Sequence, residues 1–148
     1  MSMFSVLTTS YKSIVIRITL WLGFALLLLS PGILSPANWL IGDARIDVWN
    51  HAWGYWFVAD SFANGELPYR TDLVGGPDGG VLYFIDTPGA FWAMPITWLL
   101  GPAVAYNLIL LMRVAMAGWA TQLLCEELSE AGAHTWLAGA AYASSPFL

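Results

Sequence analysis

Two kinds of stretch alternate along this chain: long runs without charge, and one segment in which the charges collect. From Ile18 to Leu34 no charged residue occurs for 17 positions, and Leu26-Leu27-Leu28-Leu29 lies at the centre of the run. Counting back through Ile14, Val15 and Ile16, with Arg17 able to snorkel, gives enough apolar length to cross a bilayer. Residues 14–35 are therefore predicted as a first transmembrane helix. A cleaved signal peptide would share the basic start and apolar core. However, Ser30-Pro31-Gly32-Ile33-Leu34-Ser35-Pro36 offers no A-x-A-like cleavage site, and the run is long for such a peptide. Lys12 and Arg17 at its start place residues 1–13 in the cytoplasm and the chain from residue 36 outside.

Residues 36–87 contain no uncharged run of spanning length and are predicted as a long extracytoplasmic loop. All six aspartates of the chain lie here, together with Glu66, Arg45 and Arg70. Asp43 to Phe62 reads as a helix with Asp43 as its N-cap. Ile46, Trp49, Trp53, Trp56 and Phe57 recur at spacings of three and four, making an aromatic stripe, while Asp47, Asn50, His51 and Gly54 fall on another side. A helix so divided would lie in the membrane interface. Asn64-Gly65 ends it, and Leu67 to Gly80 reads as loop punctuated by Pro68, Gly75-Gly76, Pro77 and Gly79-Gly80. Val81 to Ile85 could be extended, but it is too isolated to count as a sheet.

Thr87 to Met112 is again free of charge, for 26 residues. Pro88, Pro95, Gly101 and Pro102 break its first half, so 88–102 is predicted as an interfacial or re-entrant helix and 103–124 as a second span. An alternative span, Phe91 to Leu111, would leave Arg113 at its end rather than at membrane depth, where a cation is costly unless it faces protein, water or a headgroup. Glu126, Glu127 and Glu130 mark a polar turn over 125–134, and 135–148 begins a third span. The sequence stops at Ser145-Pro146-Phe147-Leu148, inside an apolar run that has just begun, and so reads as part of a longer chain.

Composition agrees with this organisation. Hydrophobic residues make up 58% of 148 positions and only 15 residues are charged, too few to cover a soluble domain of this apolar content. A disordered chain would show the opposite balance. The net charge of −5 leaves no basic patch for a nucleic-acid partner. A single cysteine, Cys125, excludes an intrachain disulfide and a Cys-rich metal site; it reads as inert packing, and His134 as a surface residue. Nine tryptophans and six tyrosines suit the headgroup zone, with membrane lipid as a partner.

The densest chemistry is Gly42-Asp43-Ala44-Arg45-Ile46-Asp47-Val48-Trp49-Asn50-His51, just past the first span. An aspartate there could serve as a general base toward a substrate anchored in the bilayer. The plainer reading is that Asp43 only caps a helix and Asp47 only solvates it. Asp43, Asp47 and His51 stand at i, i+4 and i+8, which on one helical face would suit a hard or borderline divalent cation, although three polar residues at that spacing are commonly just a wet face. Arg70 could pair with a lipid phosphate, or with Glu66 or Asp72. The glycine-rich run at 75–80 lacks G-K-[ST] and reads as turn chemistry, not a nucleotide site.

These residues resemble a family. Gly42-Asp43 and Asp47-x-Trp49-Asn50-His51-x-Trp53 follow a first membrane helix. Then come Pro68-Tyr69-Arg70-Thr71-Asp72-Leu73, Pro77-Asp78-Gly79-Gly80, Pro102-x3-Tyr106-Asn107-Leu108 and Tyr142-x-Ser144-Ser145-Pro146. The order is similar to the N-terminal portion of GT-C class membrane glycosyltransferases, the set that includes bacterial lipid-sugar and protein O-mannosyl transferases. The resemblance implies sugar transfer from a polyprenyl-phosphate donor on the outer face of a bacterial or archaeal cell membrane. It maps the family's first-loop acid to Asp43, with Asp47 as second choice, and leaves Arg70, Asn50 and His51 as substrate-binding candidates. No cofactor is expected, a divalent cation aside. Family members usually have eight or more spans, whereas this sequence holds at most three, so alone it should not close an active site. Two rivals use the same features. One is a small non-catalytic membrane anchor or assembly protein; the other is a transporter fragment, suggested by the Pro/Gly breaks and Arg113.

Overall fold

A computed structural model describes residues 3–43, 47–73, 75–81 and 86–145, with side chains from residue 13 onward. The described chain is mostly helical, with five α-helices and one two-stranded ribbon. The helices are α1 (Met3–Leu28), α2 (Val48–Ala63), α3 (Thr87–Leu100), α4 (Pro102–Leu128) and α5 (Ala133–Ala143). Among the described residues one helix, α4, is long and apolar enough to cross a membrane; the apolar part of α1, Ser13–Leu28, is shorter. The chain divides into two compact units, Met1–Ser30 with Leu110–Leu148, and Pro31–Ile109.

Helix ends follow local chemistry more closely than charge. α1 stops at Leu28, seven residues before the predicted boundary, and a 3-10 turn at Gly32–Leu34 follows. Pro31 lacks an N–H and disfavours helical geometry at Ser30, so the ladder cannot continue. α3 starts where Asp86 caps it, its Oδ1 accepting from Gly89 N at 3.2 Å. Gly101 at φ +88° closes α3, and Pro102 opens α4 at once. At its far end α4 runs on through Glu126 and Glu127 to Leu128. Carboxylates do not end a helix, and Glu126 has a partner on α1.

That partner organises the first unit. Arg17 donates to Glu126 at 2.6 Å, Gln122 Nε2 donates to Glu126 Oε1 at 2.9 Å, and Trp21 Nε1 donates to Gln122 Oε1 at 2.7 Å. Moving from Arg17 to Trp21 along α1 moves back from Glu126 to Gln122 along α4, so the two helices are antiparallel. Gln122 is fully buried, with both ends of its amide bonded, as a polar group in an apolar interior requires. Around this chain of bonds Trp21, Ala25, Val114, Ala115 and Ala143 form the core. Trp21 stacks on Trp136 of α5 at 5.5 Å and fits against Gly118 and Gly139, whose missing side chains make room for its ring. Small residues under a large ring are the usual way helices approach closely in a lipid environment.

In the second unit α2 packs on α3. The buried apolar residues of α2 are Val48, Ala52, Tyr55, Phe57, Val58 and Ala59, so only Phe57 of the described stripe is fully covered. Trp49 and Trp56 are exposed, Trp53 is half-buried and stacked on Phe57, and Phe57 is buried. Gly54, expected on the wet side, is buried too. α3 answers with Gly89, Ala90, Ala93 and Thr97. On α3 the small residues face inward, which makes room for Tyr55 and Val58 of α2. Ile46 of the expected stripe lies outside the described residues. A two-residue antiparallel ribbon pairs Arg70 with Val81 and Thr71 with Gly80. The rest of the predicted extended stretch, 82–85, lies outside the described residues, as do 146–148 of the predicted third span.

Candidate functional site

Asp43 does not cap α2. The helix begins at Val48 with Asp47 in the N-cap position, making no side-chain cap bond. Asp43, Asp47 and His51 therefore do not share one helical face. They are brought together in a different way: with Gly42, Val48 and Tyr106 they line one open cavity of about 250 Å³. Asp43 and His51 are half-buried and Asp47 is exposed.

The wall carrying Asp43 is hung from α4. Asn107 is fully buried and uses its whole amide: Nδ2 donates to Pro36 O at 2.9 Å and to Trp39 O at 2.6 Å, and Oδ1 accepts from Ile41 N at 3.0 Å. Tyr106 adds a fourth bond, its hydroxyl donating to Ile41 O at 3.2 Å. Both sides of the Ile41 residue are thus held, two positions before Asp43. Gly42 then turns the chain at φ +144°, a conformation L side chains rarely adopt, and an added Cβ would stand 3.1 Å from Val48 Cγ2. Asn107→Leu is expected to lower stability by about 2–4 kcal/mol, because three backbone groups of the Pro36–Ile41 segment lose their bonds to a fully buried amide at once. Thermal unfolding in detergent checks this, and an unchanged midpoint would show that the segment is held by other means.

The cavity also has an aromatic lining. The His51 ring lies parallel to Tyr106 at 6.2 Å, and Tyr106 meets Tyr55 edge-on at 5.9 Å. Tyr55 Oη donates to Asp86 Oδ2 at 3.0 Å, so the carboxylate that caps α3 also holds the ring behind the cavity. Asp47 Oδ1 accepts from Asn50 Nδ2 at 3.2 Å, but Asn50 is not among the lining residues.

Arg70 stands elsewhere. It sits on the ribbon, and its guanidinium donates to the carbonyl of Asp78 across the glycine-rich loop. Neither Glu66 nor Asp72 forms an ion pair with it among the described residues. Arg45 lies outside the described residues. Among the described residues no group of three or more His, Cys, Asp or Glu side chains is placed to hold a metal ion, so the spacing of Asp43, Asp47 and His51 does not become a three-ligand set. Cys125 is half-buried on α4, and the exposed His134 ring reaches Ser129 Oγ at 3.1 Å.

Tyr106 and Asn107 are the residues that the sequence left without a role. Their signal was present: adjacent hydrogen-bonding side chains inside 26 residues without charge, where each polar group must find a partner. What they bond could not be read, since the partners lie 65 to 71 positions away. No family model matches this chain, and neither a curated protein nor a solved structure does.

Proposed function

We propose that this chain is the N-terminal part of a GT-C class membrane glycosyltransferase. It would transfer a sugar from a polyprenyl-phosphate donor to an acceptor on the extracytoplasmic side of a bacterial or archaeal cell membrane. The carrying observation is the cavity in which Asp43, Asp47, His51 and Tyr106 meet, next to the start of a helix long and apolar enough to cross the membrane. In this reading α1 and α4 cross the bilayer, α5 begins a third crossing, and the N-terminus is cytoplasmic by the Lys12 and Arg17 bias.

The chemistry follows from the charges. Asp43 accepts the proton of the acceptor hydroxyl as that oxygen bonds to the anomeric carbon; the bond from the same carbon to the phosphate oxygen breaks, and polyprenyl phosphate leaves with the electron pair. Two carboxylates in one cavity repel a phosphate, so this wall is suited to the neutral acceptor and the donor phosphate must be neutralised by other groups. His51 and Tyr106 offer ring faces and polar edges against which a hydroxylated substrate can be oriented. The step as written needs no metal.

The test uses the full-length protein in liposomes with polyprenyl-phosphate donors labelled in a hexose or pentose. Release of polyprenyl phosphate, with the label passing to an acceptor, is the expected result. Stable insertion without turnover of any donor would overturn the reading in favour of a non-catalytic anchor.

A further inference from the structure

Asn64 and Gly65 follow the last residue of α2, and both are exposed, as are Phe62 and Ala63 before them and Glu66 and Leu67 after. The chain turns here through a Schellman cap. Glu66 N donates to Ser61 O at 2.8 Å and Gly65 N to Phe62 O at 3.1 Å, with Gly65 in the left-handed region at φ +74°. The Asn64 amide closes the turn from outside, Nδ2 donating to Asp60 O at 3.0 Å and to Asp60 Oδ2 at 3.3 Å. All these bonds lie within residues 60–66. A Cβ added at Gly65 would meet nothing within 4 Å, so no other described part of the chain crowds that position. A helix end held only by local, exposed bonds opens at little cost.

An open cap frees two groups that react with each other. Glycine after asparagine is the least hindered pairing for attack of a backbone nitrogen on the side-chain amide, because no Cβ shields that nitrogen. The Gly65 nitrogen bonds to Asn64 Cγ while its proton passes through water to Nδ2. The Cγ–Nδ2 bond then breaks, ammonia leaves and a five-membered imide is closed. Water opens the imide at either carbonyl. Cleavage at Cγ leaves aspartate; cleavage at the backbone carbonyl carbon of residue 64 leaves isoaspartate, with the chain running through the former side chain. The other three asparagines are hindered. Asn38 is followed by Trp39, Asn50 by His51 and Asn107 by Leu108, and Asn107 is fully buried with its amide bonded three times.

We propose that Asn64–Gly65 is a covalent modification site, converted by water to aspartate and isoaspartate when the α2 cap opens. The product cannot rebuild the same cap. Either form loses the Asn64 donor and sets a carboxylate four residues from Asp60 at a helix C-terminus, where negative charge is doubly unfavourable. Isoaspartate also adds one carbon to the backbone between the partners of both cap bonds. The end of α2 therefore frays permanently, beside two contacts with α3: Trp98 Nε1 donating to Ala59 O at 3.0 Å, and Phe62 edge-on to Phe91 at 5.8 Å. The reaction depends neither on sugar transfer nor on the acidic cavity.

Ageing the full-length protein in mildly alkaline heavy-oxygen water tests it. Peptide mapping reads each asparagine by its mass, and an isoaspartyl methyltransferase marks the rearranged product. Asn64 should take up one heavy oxygen at least an order of magnitude faster than Asn38, Asn50 and Asn107, while Asn64→Gln stays intact at that position. Amide exchange over residues 61–66 should quicken in the aged protein and in Asn64→Asp; unchanged exchange in both would overturn the permanent loss of the cap. Conversion of Asn64 no faster than that of the other asparagines would overturn the site itself. So would an intact Asn64 over a period that consumes a free peptide of residues 61–67, since the cap would then stay shut.

Discussion

Replacing Asp43 by Asn in the full-length protein is expected to lower sugar transfer by a factor of about 10²–10⁴, the usual contribution of a positioned general base. The change keeps the size and hydrogen-bonding ability of the side chain and removes only its ability to take a proton. Asn107 and Tyr106 hold the backbone at Ile41, two positions before Asp43, independently of its carboxylate, so insertion and thermal stability should stay near those of the parent. Asp47→Asn should cost less. That carboxylate is exposed at the start of α2 and already bonded to Asn50. Initial rates of polyprenyl-phosphate release, measured beside elution profiles in detergent, separate a chemical loss from a folding one. Undiminished turnover in Asp43→Asn would remove the catalytic assignment and leave the cavity as a binding surface.

The second large effect is on stability. In Gly139→Ala the new Cβ would stand 2.5 Å from the carbonyl oxygen of Gly118 and 2.7 Å from the Trp21 ring. A side chain could rotate away, but a backbone carbonyl cannot, so the helices must part. The expected loss is about 2–3 kcal/mol, at the upper end of overpacking costs, and more for Gly139→Val. Gly23→Ala supplies a control of opposite sign. An added Cβ there meets nothing within 4 Å, and Ala is favoured over Gly in a helix by about 0.5–1 kcal/mol. Unfolding midpoints in detergent should therefore fall for Gly139→Ala and hold or rise for Gly23→Ala. Trp21→Phe should cost less in the Gly139→Ala protein than in the parent, because the smaller ring relieves the clash. Equal midpoints for Gly139→Ala and the parent would mean that α5 does not seat against Trp21 as described.

Part of the secondary structure was legible in the pattern of charge and punctuation, as at the Gly101-Pro102 junction between α3 and α4. The stop of α1 at Leu28 and the cap at Asp86 are local chemistry too, yet the sequence pattern predicts a first helix running to residue 35 and does not single out Asp86 as a cap. Charge alone was a poor guide to boundaries. Glu126 reads as the start of a turn until Arg17, 109 positions away, supplies its partner. The aromatic stripe of α2 was legible only as a spacing: Trp49 and Trp56 are exposed and Trp53 is half-buried, but Phe57 is buried, and which residues meet α3 depends on the partner helix rather than on periodicity.

By itself the sequence determined that this is a strongly apolar, helix-rich chain whose six aspartates gather in one segment between charge-free runs. Those are consequences of composition and short-range periodicity, which need no knowledge of distant residues. Only the tertiary structure decided how the acidic residues meet. The i, i+4, i+8 spacing of Asp43, Asp47 and His51 promised a helical face, but α2 starts too late to carry Asp43. The cavity exists because Asn107 and Tyr106 reach from α4 to the Pro36–Ile41 segment, over a separation of more than 60 residues. A buried amide must satisfy all its bonds, and the partners it selects depend on how the chain returns in space.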